Sequence, residues 1–137
     1  MDEDKKEDKI KEIDEYLTNL ESYIPSNFGE YIGNSKTKDA CERCFEKIIE
    51  AVVDLAFIII NEKKLRIPKE DTGAFDVLFD KGIISSRLCK NLKSAKGMRN
   101  IIAHEYGKID DALVFEAVTE QLIPDVKEFI SFIEKGK

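Results

Sequence analysis

Apolar residues recur along this chain at intervals of three and four, the spacing that gathers them on one side of an α-helix. Ile10, Ile13, Leu17, Leu20 and Ile24 trace a narrow seam and predict a first helix from about Asp4 to Tyr23. Pro25-Ser26-Asn27, with Gly29 and Gly33, then breaks the pattern and predicts a loop. A second helix is expected from Thr37 or Lys38 to about Lys63, with Ser35 or Thr37 as N-cap and Asp39 favourably placed in the helix dipole. Ala40, Cys44, Ile48, Val52, Leu55 and Ile59 form its main face. Cys41, Phe45, Ile49, Ala56 and Ile60 widen that face, and Phe57 and Ile58 carry it nearly all round the last turns. A helix apolar on several sides is buried on several sides. That predicts a central helix which also meets a second subunit.

Leu65-Arg66-Ile67-Pro68 ends this helix, and Asp71-Thr72-Gly73 reads as a turn or cap. A short helix is expected over Ala74 to Asp80, with Phe75, Leu78 and Phe79 facing inward and Gly82 as its C-terminal stop. Ser85 caps the next helix, whose inner stripe is Leu88, Leu92, Ala95, Arg99 and Ile102, interrupted by Gly97. The last helix starts at Asp110-Asp111 and runs to about Glu134, with Pro124 kinking it around Gln121. No run alternates with the period of a strand. The expected fold is all-α: an antiparallel four-helix bundle with an extra short helix, forming one domain over residues 1–137.

Composition narrows the class. Hydrophobic residues at 42% beside 36% charged residues suit a helix-rich soluble domain with a core of its own. The charged opening from Met1 to Lys9 does not read as a secretory signal. The apolar run from Ala51 to Ile60 is too short to span a bilayer, so a cytoplasmic protein is expected. Three cysteines are an odd number, and the Cys41-x-x-Cys44 pair lies on an apolar helix face with no second pair to complete a zinc site. Buried free thiols are expected, with no metal and no cofactor.

A net charge of −6 argues against broad wrapping of nucleic acid. The charge is uneven, however. Residues 1–22 hold nine acids against four lysines, whereas residues 81–108 hold seven bases against one acid, Glu105. That basic segment leads into Arg99-Asn100-Ile101-Ile102-Ala103-His104-Glu105-Tyr106, which contains the single histidine of the chain. Histidine ordinarily titrates near neutrality, at about 6.5, and so suits proton transfer. Arginine offers a permanently charged, planar fork that suits a phosphate. A base plus a phosphate clamp is a minimal set for cutting a phosphodiester. Gly107 should terminate the helix and leave His104 in its last turn. Residues five apart on a helix point about 140° away from each other. Arg99 and His104 therefore converge only if the helix unwinds or a second chain completes the site. On the second helix, Glu50 and Asp54 share a face. They line a cleft or hold Arg99, or, as is commoner for such pairs, form a polar edge with Arg43 or Lys47.

The arrangement Arg99-x4-His104-x-Tyr106 resembles the R-x4-H-x-Y signature of the HepT-like branch of the HEPN superfamily. Glu50 and Asp54 are similar to that family's E-x-x-x-D pattern, and the likeness extends to Ile67-Pro68 through Gly82-Ile83-Ile84, to Met98-Arg99-Asn100 and to the acidic start at Asp110. The resemblance implies a homodimeric, metal-independent endoribonuclease, the toxin of a two-gene toxin–antitoxin module of type VII character. Its cognate antitoxin would be a small MNT-type nucleotidyltransferase, and Tyr106 the residue to which that partner transfers AMP. By the same resemblance His104 and Arg99 are the catalytic pair in a cleft shared by two protomers, with RNA as substrate. Asn100 supports them by bonding the phosphate or holding Arg99. A competing expectation is a non-catalytic HEPN helical module that docks a nucleotidyltransferase or binds a nucleotide.

Overall fold

The computed structural model describes residues 2–104 and 109–136, residues 2 and 3 through their backbone. Helix α1 spans Asp2–Tyr23, α2 Phe28–Gly33, α3 Ser35–Glu62, α4 Gly73–Asp80, α5 Ser86–His104, α6 Asp111–Glu116 and α7 Leu122–Lys135. Ala117–Gln121 forms a π-helical stretch joining α6 to α7. No strand occurs among the described residues, so the all-α expectation holds. No described helix is long and apolar enough to cross a membrane.

Local chemistry accounts for the boundaries. Asn27 accepts a hydrogen bond from the Glu30 backbone N–H at 2.9 Å, while the Glu30 carboxylate accepts one from Ser26 N–H at 3.1 Å. This reciprocal capping starts α2 where the glycines had predicted only a loop. Among the described residues α2 is thus a short helix additional to the expected α4, and α6 is a third, leading through the π-helical stretch into α7. Asn34, not Ser35 or Thr37, caps α3 by accepting from Thr37 N–H at 3.1 Å. An asparagine one residue upstream does the same work as the serine or threonine expected. Helix α3 ends on Lys64, a non-glycine residue with a left-handed φ of 55°. Gly82, at φ 74°, stops α4 as expected. Ser85 Oγ accepts from Leu88 N–H at 3.1 Å and starts α5, which runs through Gly97 without a break.

The last helical segment is irregular where proline dictates. Pro124 has no N–H for the carbonyl one turn back, and its ring crowds that turn. The backbone responds by widening: Leu122 N–H donates to the Ala117 carbonyl five residues earlier.

Helix α3 is the axis of the core. Phe45, Ile48, Ile49, Val52, Leu55, Ala56 and Ile60 are fully buried, and α1, α2, α4 and α5 all pack on α3. Ile13, Leu17 and Leu20 of α1 complete one side. Phe75 of α4 and Phe129 of α7 meet edge to face at 6.1 Å. Phe57 and Ile58 remain half-buried. The breadth of the apolar face on α3 is therefore filled by the chain's own helices and does not itself require a second subunit. Phe79, expected to point inward, is 43% exposed. It stands one position beyond Leu78 at the end of an eight-residue helix, and the short element buries a single stripe.

Candidate active site

Helix α5 positions the candidate residues. Leu88, Leu92 and Ile102 anchor it in the core, and this anchoring fixes the direction of every other side chain on it. Asn100 and His104 lie four apart and share a face; Lys96, four residues earlier, extends the row. Together with Glu70, Asp71 and Thr72 from the segment before α4, these three line an open hollow of about 470 Å³. Thr72 makes no capping hydrogen bond to α4.

Arg99 is turned the other way. Its side chain retains only 17% of its exposure, and Nη2 forms an ion pair with Glu50 Oε1 of α3. Nη1 donates to Asn100 Oδ1 at 3.3 Å, while Nε is buried without an acceptor among the described residues. Glu50 thus holds Arg99 instead of forming the polar edge with Arg43 or Lys47 that helix statistics favour. Arg43 pairs with Glu46 at 3.2 Å, Lys47 lies over the Tyr16 ring, and Asp54 pairs with Lys9 of α1 at 3.3 Å. The reason is geometric: Glu50 faces α5 across the helix pair, whereas Asp54 reaches α1.

Asn100 links the two sides. Its Oδ1 accepts from Arg99 and also from Lys96 Nζ at 3.4 Å. Helix α5 stays helical to its last residue, His104. Arg99 and His104 consequently keep their angular separation of about 140° and do not line one hollow within a protomer. Tyr106 and Gly107, the expected modification target and helix terminator, lie outside the described residues.

Among the described residues, most bases of the basic segment form ion pairs within the chain. Arg87 pairs with Asp125 at 3.6 Å and with Glu128, Lys93 with Asp76 at 3.0 Å, and Lys96 with Asp71 at 3.5 Å. In the sequence Lys96 is one base among seven, and its spacing of four and eight from Asn100 and His104 is the signal that sets it on their face. Cys41, Cys44 and Cys89 are buried free thiols, and burial pushes Cys41 up to about 11.

Known proteins place this chain in a family. The chain is 32% identical over 89 residues to an mRNA nuclease HepT of Shewanella oneidensis, a match covering 65% of this chain and 66% of that protein, just under two thirds of its length. It is 26% identical over 113 residues to a tRNA nuclease HepT of Aphanizomenon flos-aquae, covering 82% of this chain and 77% of the relative. Among solved structures, a tri-AMPylated Shewanella oneidensis HEPN toxin in complex with MNT antitoxin has the same fold, at a TM-score of 0.89 and 24% identity over 95% of this chain and 96% of that one. The family model described as ribonuclease HepT-like matches residues 13–133. That span begins in the first buried turn of α1 and closes on the last buried turn of α7, taking in every helix of the core, and so the chain belongs to the HepT-like ribonuclease family.

Proposed function

We propose that this protein is a metal-independent endoribonuclease in which His104 transfers protons and Arg99 stabilises charge on the phosphorus. The observation that carries the reading is the family match across the core, with Arg99 and His104 at the family's spacing on the last turns of α5. In the reaction, the 2′-hydroxyl of RNA attacks the adjacent phosphorus. One imidazole accepts its proton, and the 5′-oxygen leaves with a proton returned by a protonated imidazole. The P–O5′ bond breaks as the P–O2′ bond forms, which leaves a 2′,3′-cyclic phosphate and a free 5′-hydroxyl. The guanidinium offsets the extra negative charge of the pentacoordinate transition state.

The divergence of Arg99 and His104 within one protomer supports a homodimer whose cleft combines side chains of both copies. Ile101, 43% exposed between them, is a large apolar residue suited to such a contact. In the same reading the protein is the toxin of a toxin–antitoxin pair, its partner an MNT-type nucleotidyltransferase that transfers AMP to Tyr106. AMP on that side chain adds bulk and negative charge beside the histidine and repels RNA. The state of the solved toxin complex supports this pairing.

The test is RNA cleavage in EDTA by wild type, Arg99→Ala and His104→Ala. Loss of a general acid–base group removes on the order of 10²–10⁴-fold in rate, so only wild type should leave cyclic-phosphate ends. Equal cleavage by His104→Ala overturns the assignment. Retarded but intact RNA with all three proteins favours the non-catalytic module. A light-scattering mass near the 15.7 kDa of one chain argues against the shared cleft.

A further inference from the structure

We propose that Lys96 is an RNA-binding residue, holding a backbone phosphate on the His104 side of α5, and that Asp71 occupies it until RNA arrives. The inference rests on the ribonuclease reading above and adds a cation which the Arg-His pair does not include.

Four observations carry it. First, the cation that the motif supplies does not face the histidine's hollow: Arg99 is directed at Glu50 of α3. Among the described residues lining the hollow with His104, Lys96 is the other base, beside the acids Glu70 and Asp71. The C-terminal end of a helix is negative, so a phosphate brought to the end of α5 needs a cation of its own. Second, Lys96 is 8% exposed, and lysines are so deeply buried only when paired. Third, its pairing is weak in geometry. The ammonium has three donors, yet meets Asp71 Oδ2 at 3.5 Å and Asn100 Oδ1 at 3.4 Å, both long for charge-assisted bonds of about 2.7–2.9 Å. Fourth, the Asp71 side chain is 58% exposed, against 10% for Lys96. The carboxylate can swing into water, while the ammonium stays fixed on α5 one turn from Asn100. A phosphate oxygen entering the hollow takes the place Asp71 leaves, and Asn100 then ties Lys96 on one side of the helix to Arg99 on the other.

The competing role for Lys96 is a strut joining α5 to the segment before α4. Binding of a single-stranded oligoribonucleotide, measured over a salt series in the non-cleaving His104→Ala protein, separates the two. Each phosphate contact on a single strand contributes about 0.7 to the slope of log K against log salt. Lys96→Gln should lower that slope by about 0.7 and weaken binding several-fold at low salt, whereas Lys96→Arg should keep both. Asp71→Asn should tighten binding more than Glu70→Gln, which removes a like charge from the same hollow without releasing Lys96, a difference that a strut does not produce. Melting temperatures report any loss of fold, and Asp71→Asn keeps the test valid if Lys96→Gln unfolds. An unchanged slope in Lys96→Gln, or weaker binding in Asp71→Asn, overturns the proposal while a cleaving wild type leaves the ribonuclease reading intact. A wild type that neither cleaves nor binds RNA overturns that reading instead, and Lys96 with it.

Discussion

Replacing Glu50 by alanine tests whether Arg99 works because α3 holds it. The Arg99 side chain is 17% exposed and that of Glu50 47%. The pair therefore falls between exposed salt bridges, at about 0–1 kcal/mol, and buried ones, whose breaking costs about 3–5 kcal/mol. A loss of about 1–2 kcal/mol is expected, which for a chain of this length lowers Tm by roughly 3–8 °C. The effect on catalysis should be larger than the effect on stability. Without Glu50, Arg99 is left with Asn100 Oδ1 at 3.3 Å, and a displacement of about 1 Å in a positioning group can cost on the order of 10²-fold. We expect kcat on RNA to fall about 10–100-fold with a smaller change in KM, and Glu50→Gln, which still accepts a hydrogen bond, to recover part of the loss. Because Glu50 acts through Arg99, Glu50→Ala in an Arg99→Ala background should cost nothing further in rate. A Glu50→Ala protein that melts early yet cleaves at the wild-type rate refutes the positioning argument. So does a double variant whose loss equals the sum of the single losses.

Three further outcomes are expected. Gly97 lies inside α5, and a Cβ there meets nothing within 4 Å; Gly97→Ala should raise stability by about 0.5–1 kcal/mol, read as a Tm increase, and a change of mass in light scattering would instead mark this face as a subunit contact. The Cys41 thiol, raised by burial from 9.0 to about 11, stabilises the fold fully below about pH 9. That contribution, on the order of 2–3 kcal/mol, is lost as pH rises towards 11, because the unfolded thiol ionises first. The urea midpoint should fall across that window, and rapid labelling of Cys41 in the native protein at pH 8 would count against it. Treatment with the nucleotidyltransferase and ATP should add AMP mass to wild type and abolish RNA cleavage, while Tyr106→Phe should stay unmodified; AMP found on another residue of Tyr106→Phe would displace Tyr106 as the target.

The long helices were legible in the sequence, because a period of three and four and the chemistry of caps and breakers act within a few residues. The sequence placed Ser85, Gly82 and the irregularity before Pro124 where they occur, and the octet around His104 pointed to the family that the core confirms. Its failures were of two kinds. The Asn27–Glu30 capping of α2 and the Asn34 cap of α3 were legible locally but masked by neighbouring glycines and hydroxyls. The pairing of Glu50 with Arg99 was legible only as the less favoured of two alternatives, and those of Asp71 with Lys96 and Asp54 with Lys9 were not legible at all. They join residues far apart in the chain, and which carboxylate meets which cation depends on the rotation of each helix about its axis. Core packing sets that rotation: once Leu88, Leu92 and Ile102 are buried, Arg99 must turn to α3, and Lys96, Asn100 and His104 must open on one hollow.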